Sequence, residues 1–374
     1  MPTCIYCGAA FADAEAEHIL QNSLGARWTS DQIVCSREQA DFGRTIDLDL
    51  SNRLKTFRNL LDHETGRGNP PPTLKDLPTL EGKKVALQPG GVLQLNQPEV
   101  KITPGSNNTK AVEISMRDMR DIGWALHLLK SQLPNAQIDE EVIRKLSVST
   151  RREAEEVVHL RFEFGGIPYL RAVTKAAFNL AAAKGVDVHD SAFDAARSFV
   201  RDGSGASENI VRYAVAHAFA PDSKLSPVDH FVAVAVQGNA VVGYVQLYGA
   251  LEYVMQLADN YRGQSFAHGY LVNPLRNTTP AESREPRFDP QKLPALRDQP
   301  DPITEETMRW MRQRLNPIIA FHQQSGLEKR MAQIVDEVLL PHDGKPLTAE
   351  LLRTLSLRIA ELAAAKLSTR VPPR

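Results

Sequence analysis

Residues 1–25 read MPTCIYCGAAFADAEAEHILQNSLG, and their reading decides the fold of the first part of the chain. Cys4 and Cys7 stand at C-x-x-C spacing, Glu17 and His18 are adjacent ten residues further on, and Cys35 closes the segment in "CSRE", residues 35–38. The chain has 3 cysteines in all, an odd number without the spacing of a disulfide framework. That points to a reducing compartment, where C-x-x-C is a metal or redox device more often than a bridge. Structural zinc takes four soft or borderline ligands in a tetrahedron. The knuckle supplies two and Cys35 a third. Glu38 stands where a fourth cysteine would complete a second C-x-x-C, and a carboxylate can bind zinc; His63 is a second candidate for that place. A C-x-x-C alone reads equally well as two free thiols, and Cys35 tips the balance to zinc. A Glu-His dipeptide alone is commonplace. The knuckle beside it, and the acidic run "IDLDL" (46–50) after an expected glycine turn in "DFGRT" (41–45), single it out.

The remaining numbers bound the answer. A chain of 374 residues with 42% hydrophobic and 24% charged residues is too long for one ordinary core, so two or three domains are expected. The formal net charge of -1 gives no global field for nucleic acid, so such contacts need local basic patches. No stretch reaches 18 apolar residues, no signal peptide is recognisable, and a cytoplasmic protein without a membrane partner is the expectation.

Periodicity divides the chain into 1–75, a connecting region 76–150, an α/β companion 151–273, a proline- and charge-rich linker 274–302 and a helical tail 303–374. Leu50, Leu54, Phe57, Leu60 and Leu61 predict a helix after Asp47. Short strands are expected over 83–103, a turn in "GSNNTK" (105–110), and a helix from Val112 to near Pro134. Val158, Leu160, Phe162 and Phe164 alternate with His159, Arg161 and Glu163 as in a half-buried strand. Helices with glycine stops follow in 165–185 and 189–205. The strands "HFVAVAVQ" (230–237), "NAVVGYVQLYG" (239–249) and "LEYVMQLAD" (251–259) come next, the first two joined as a hairpin, with "QSFAHGYLV" (264–272) as a fourth. The tail predicts three helices, 304–324, 326–340 and 347–366. The fold class is therefore α+β, with a mostly antiparallel sheet.

The first 50 residues resemble the HNH endonucleases of the ββα-metal type, in a branch that carries C-x-x-C, E-H-I, a Leu-Gly pair, C-x-x-C-N, F-G and I-D. Here these are Cys4–Cys7, Glu17-His18-Ile19, Leu24-Gly25, Cys35 to Gln39, Phe42-Gly43 and Ile46-Asp47. The stretch from 165 to 254 also resembles the companion region of standalone members. The resemblance implies an N-terminal ββα-metal module whose zinc staples a motif too small to hold its own core. It implies His18 as general base on a water, which an imidazole of ordinary pKa suits. It implies Glu17 and Asp47 as carboxylate ligands of a catalytic Mg2+ or Mn2+, with Asp49 as the nearby alternative. Two departures stand out. Glu38 replaces the family's last zinc cysteine, and Gln39 replaces the asparagine that orients the base.

The activity implied is metal-dependent hydrolysis of DNA phosphodiester bonds, with RNA left open, in restriction or phage defence under a trigger or protein partner. The alternative is a catalytically decayed zinc module serving a sensor or complex. Arg27, Arg37 and Arg44 are candidates for phosphate contacts. Arg53, Lys55, Arg58 and Arg67 lie nearby without forming a single stripe. Trp28 is read as packing. His127, His159, His230 and His268 are poor site candidates. The apolar stripe Leu351, Leu355, Ile359 and Leu362 suggests packing or a homodimer contact.

Overall fold

The computed structural model describes residues 1–12, 15–104, 110–116, 119–134, 141, 158, 160, 162–214, 225–276, 286–299, 305–342 and 346–368. At the N-terminus Gly8 has φ +72°, which lets its N–H reach the Cys4 carbonyl at 2.9 Å while the Cys4 N–H reaches that of Ala9 at 2.9 Å. This is a tight knuckle that only glycine closes without strain. Two short strands follow, β1 (Glu17–His18) and β2 (Thr29–Ser30), antiparallel with Glu17 opposite Ser30 and His18 opposite Thr29. Helices α1 (Ser36–Arg44) and α2 (Ile46–Leu61) complete a ββα arrangement. The expected glycine turn is corrected: Gly43 lies inside α1, and the break falls at Thr45, whose φ −116° and ψ −92° interrupt the helical path. On α2, Leu50, Leu54, Phe57 and Leu61 are buried, as their spacing requires.

Strands β3 (Leu74–Pro78), β4 (Lys84–Gln88) and β5 (Val92–Leu95) form an antiparallel meander, and β6 (Glu99–Pro104) pairs with β7 (Lys110–Ser115). The helix expected from Val112 is therefore two elements. Residues 112–115 belong to β7, and α3 (Ile122–Gln132) starts later. Val112 pairs with Ile102 and Ile114 with Val100 across the ladder, a partner that periodicity in one segment does not reveal. Of the strand expected at 155–164, most of the first part, with His159, lies outside the described residues, as does the turn at 105–109. Val158 bridges Thr79, and the rings of Phe162 and Phe164 lie 5.1 and 6.0 Å from that of Phe57.

The companion region is one antiparallel sheet in the order β12-β9-β10-β11-β8, built from β8 (Val211–Tyr213), β9 (His230–Gln237), β10 (Ala240–Leu247), β11 (Leu251–Ala258) and β12 (Ala267–Val272). Its central strands are buried along nearly their whole length, because both faces are covered. Helices α4 (Ile167–Ala183) and α5 (Asp194–Asp202) cover one face. Gly243 sets the approach of α4: a Cβ there would lie 2.6 Å from Met255 Cγ and 3.0 Å from Ala177 Cβ. The other face packs Phe231, Tyr244 and Val254 against Leu293 and Leu296, with Phe288 beside them. Part of the segment expected as a linker thus covers the core, since its few apolar residues recur where the sheet needs a lid. Helix α2 packs on the outer side of α4. This leaves α4 buried on nearly every side between sheet and N-terminal module.

The chain divides into two compact units, Met1–Met311 and Arg312–Arg374. The tail has two helices among the described residues, not three: α6 (Glu305–Leu339) continues through Gly326, and α7 (Ala349–Ser368) follows. One glycine costs about 1 kcal/mol in a helix, too little to end one of this length. Within the second unit Arg358 pairs with Glu337 at 2.9 Å.

Candidate active site

The knuckle and the start of α1 bring the three thiols together. The sulfurs of Cys4, Cys7 and Cys35 all lie within 4.8 Å of one another, with Cys7 and Cys35 at 3.7 Å. Cys35 is the N-terminal flanking residue of α1. Burial would raise its pKa, but the backbone N–H groups of Glu38 and Arg37 and the neighbouring thiols outweigh it and lower the value. Burial pushes Cys4 up to about 11. A soft dication would reverse that by taking the thiolate directly, and this group could hold a zinc ion. Neither sequence candidate for a fourth ligand joins the cluster. Glu38 turns to Arg37 at 3.0 Å and Arg201 at 3.7 Å. His63 is buried elsewhere, its Nε2 2.7 Å from the Tyr248 hydroxyl and its Nδ1 3.0 Å from the Glu64 carbonyl.

Glu17 and His18 occupy β1, and Asp47 occupies the first turn of α2. Both carboxylates converge on one point, and Lys175 of α4 occupies it. Its Nζ lies 2.6 Å from Glu17 Oε1 and 2.7 Å from Asp47 Oδ2. The lysine side chain is only 6% exposed, and the ring of Phe42 lies 5.0 Å from the ammonium. Burial would discharge it, but the two carboxylates win and hold its pKa up at about 12. The trio carries two negative charges and one positive. Asp49, the alternative ligand, is engaged by Arg53 at 2.7 Å instead.

A hydrogen-bonded chain links this trio to Tyr6 of the knuckle. Tyr6, between the two knuckle cysteines, donates its hydroxyl to Asn179 Oδ1 at 2.7 Å. The Asn179 amide donates to the His18 carbonyl at 3.2 Å and to Glu17 Oε1 at 3.4 Å. Gln21 donates its side-chain amide to the Asp47 carbonyl. Gln39 donates to the carbonyl of Ala16 at 3.3 Å, so its amide steadies the strand before Glu17 and not the His18 ring. Among the described residues the His18 Nδ1 is buried without a hydrogen-bond partner. The ordinary pKa expected for His18 is corrected: burial, with Arg67 and Lys175 adding to it against Asp47, lowers it to about 4, so the imidazole is neutral at pH 7.

On its outer side His18 lines an open groove of about 590 Å³ with Arg27, Arg67, Thr29, Glu15 and Gly66. Gly66 has no room for a side chain there, since a Cβ would lie 2.1 Å from the Ala26 carbonyl oxygen. Of the three arginines proposed for phosphate, the structure brings Arg27 to this groove. Arg37 is tied to Glu38, and Arg44 donates to the Ala40 carbonyl at the exposed end of α1.

Residues 4–55 match the HNH endonuclease family. The match covers the knuckle, β1, β2, α1 and most of α2, and it does not extend to the companion region. No curated protein and no solved structure matches the chain. Among the described residues no helix is long and apolar enough to cross a membrane.

Sequence reasoning missed Lys175, Asn179, Tyr6 and Gln21. A signal for the first two exists: besides Thr174, Lys175 and Asn179 are the polar residues, one turn apart, in the otherwise apolar run "AVTKAAFNLAAA" (172–183). A cation within an apolar helix that is buried all round needs a partner, and here it has two.

Proposed function

We propose that this chain is an HNH endonuclease that hydrolyses DNA phosphodiester bonds, using the module that matches that family. The observation that carries the reading is the meeting of Glu17 and Asp47 at one point beside a neutral, groove-facing His18. In this reading a phosphate lies in the groove against Arg27 and Arg67, which neutralise it and set its register. His18 takes a proton from a water, the water oxygen forms a bond to phosphorus, and the bond to the 3′ oxygen breaks to leave a 5′ phosphate. Glu17 and Asp47 are the residues that would hold a divalent ion such as Mg2+ or Mn2+, which supplies Lewis-acid stabilisation of the leaving oxygen when bound. Two carboxylates suit such a hard cation. Zinc on Cys4, Cys7 and Cys35 would hold the knuckle and take no part in the chemistry.

A role in restriction or phage defence, with cleavage held off until a trigger acts through the companion region, belongs to the same proposal and rests on the layout of a small module against a large sheet. A second reading has its own support. Glu38 bound to arginines and Lys175 bound to both carboxylates suit a module kept for binding after catalysis has decayed. Incubation of the full chain with supercoiled plasmid and Mg2+ or Mn2+ separates the two. Nicked plasmid that disappears with Glu17→Ala or Asp47→Ala supports the nuclease, and intact plasmid under every condition supports the decayed module.

A further inference from the structure

The two carboxylates assigned to a divalent ion already share a cation. Lys175 Nζ lies within hydrogen-bonding distance of Glu17 Oε1 and Asp47 Oδ2 at once, and the lysine side chain is buried. It reaches this point from α4, a helix of the companion region, 128 residues beyond Asp47 in the chain. Its neighbours fix it there. Gly243 and Ala177 hold α4 close to the sheet on one side. Asn179, one turn along, is pinned to Tyr6 and to the His18 carbonyl on the other.

We propose that Lys175 is the resident cation of the Glu17–Asp47 seat, so that a divalent ion takes these carboxylates only by displacing the lysine ammonium. The argument is one of charge and space. Two carboxylates with an ammonium between them leave a net charge of minus one, and a dication brought to the same oxygens meets the ammonium at contact distance in a buried site. Hard cations bind carboxylate oxygens at ~2.0–2.6 Å, a sphere that an ammonium at hydrogen-bonding distance already occupies. The inference deepens the nuclease reading and rests on it for the identity of the seat.

The test is Mn2+ binding to the full-length protein, followed by electron paramagnetic resonance, for the wild type, Lys175→Met, and Lys175→Met combined with Glu17→Gln. Zinc content and circular dichroism serve as controls for folding. The expected result is that Lys175→Met binds one Mn2+ at least ~10-fold more tightly than the wild type, and that adding Glu17→Gln removes the gain. A merely structural lysine would not create a metal site when removed. Equal or weaker Mn2+ binding by a folded Lys175→Met protein overturns the proposal. If that variant does not fold, wild-type crystals soaked in Mn2+ decide. Anomalous density between Glu17 and Asp47 with Lys175 still bonded to both overturns it. Density there only with the lysine swung away, or none there with the lysine in place, supports it. A failure to cut plasmid would sink the nuclease reading and leave these binding results standing.

Discussion

At the scale of the residue, the site depends on a few buried polar contacts whose loss has distinct signatures. Tyr6→Phe removes the hydroxyl that satisfies Asn179 Oδ1 and leaves a buried acceptor unpaired. The expected cost is about 1–3 kcal/mol in denaturant unfolding with zinc content unchanged, because the thiols are untouched. Unchanged stability would show that Asn179 does not depend on Tyr6. Gly66→Ala would place a methyl on the Ala26 carbonyl at the groove floor. It should weaken binding of a short DNA duplex, measured by fluorescence anisotropy, with little effect on zinc content; wild-type affinity would remove the groove from the account. Much of this scale was legible. That Cys4, Cys7 and Cys35 lie together could be read from spacing because a knuckle is local, and that Glu17 and Asp47 approach one point beside His18 because a motif fixes their order; their roles are the proposal above. Glu38 shows the limit: its position in the motif suggested a ligand, but the arginines that claim it include Arg201, whose proximity only the fold creates.

At the scale of the element, α4 is the hinge of the account. It is buried nearly all round, against the sheet through Ala177 and Gly243 and against the N-terminal module through Lys175 and Asn179. Gly243→Val would drive a branched side chain into Met255 and Ala177, with an expected destabilisation of ~1–3 kcal/mol. Because α4 carries Lys175, the same variant should change Mn2+ affinity although residue 243 touches neither carboxylate. A loss of stability with Mn2+ binding unaltered would separate the helix from the seat. The helix itself was readable from its apolar run and glycine stop. The faces it presents to two neighbours were not, since a helix apolar all round announces burial without naming its partners. The β6–β7 hairpin failed for a related reason, as strand pairing is a property of two segments.

At the scale of the whole molecule, the N-terminal region and the companion sheet share buried titratable groups. His63 of the segment after α2 bonds Tyr248 at the end of β10, whose backbone N–H donates to His230 Nδ1 at 3.1 Å. Burial lowers the His63 pKa to about 4, with Arg58 reinforcing it against the Glu64 carbonyl and Asp62, and lowers His230 further with His63 beside it. Unfolded histidines titrate near 6.5, so between about pH 6.5 and 4 the unfolded chain binds more protons than the folded one. Stability therefore falls as pH drops through that window. The melting temperature should decline from pH 7 to 5, and His63→Gln should flatten the slope; a wild-type melting temperature constant over that range would contradict the burial of both rings. The mixed α and β class and the antiparallel sheet were legible because the central strands read as clean apolar runs. That residues 288–296 close the sheet was not, because composition marks proline and charge and hides the apolar residues between them.

Whether His18 works as a base at a phosphate held in the groove is decided by single-turnover cleavage of a DNA duplex by wild type and His18→Ala. The expected result is a 5′-phosphate product from the wild type and a rate at least ~100-fold lower for the variant, with folding and zinc content preserved. Equal rates for the two folded proteins would contradict it.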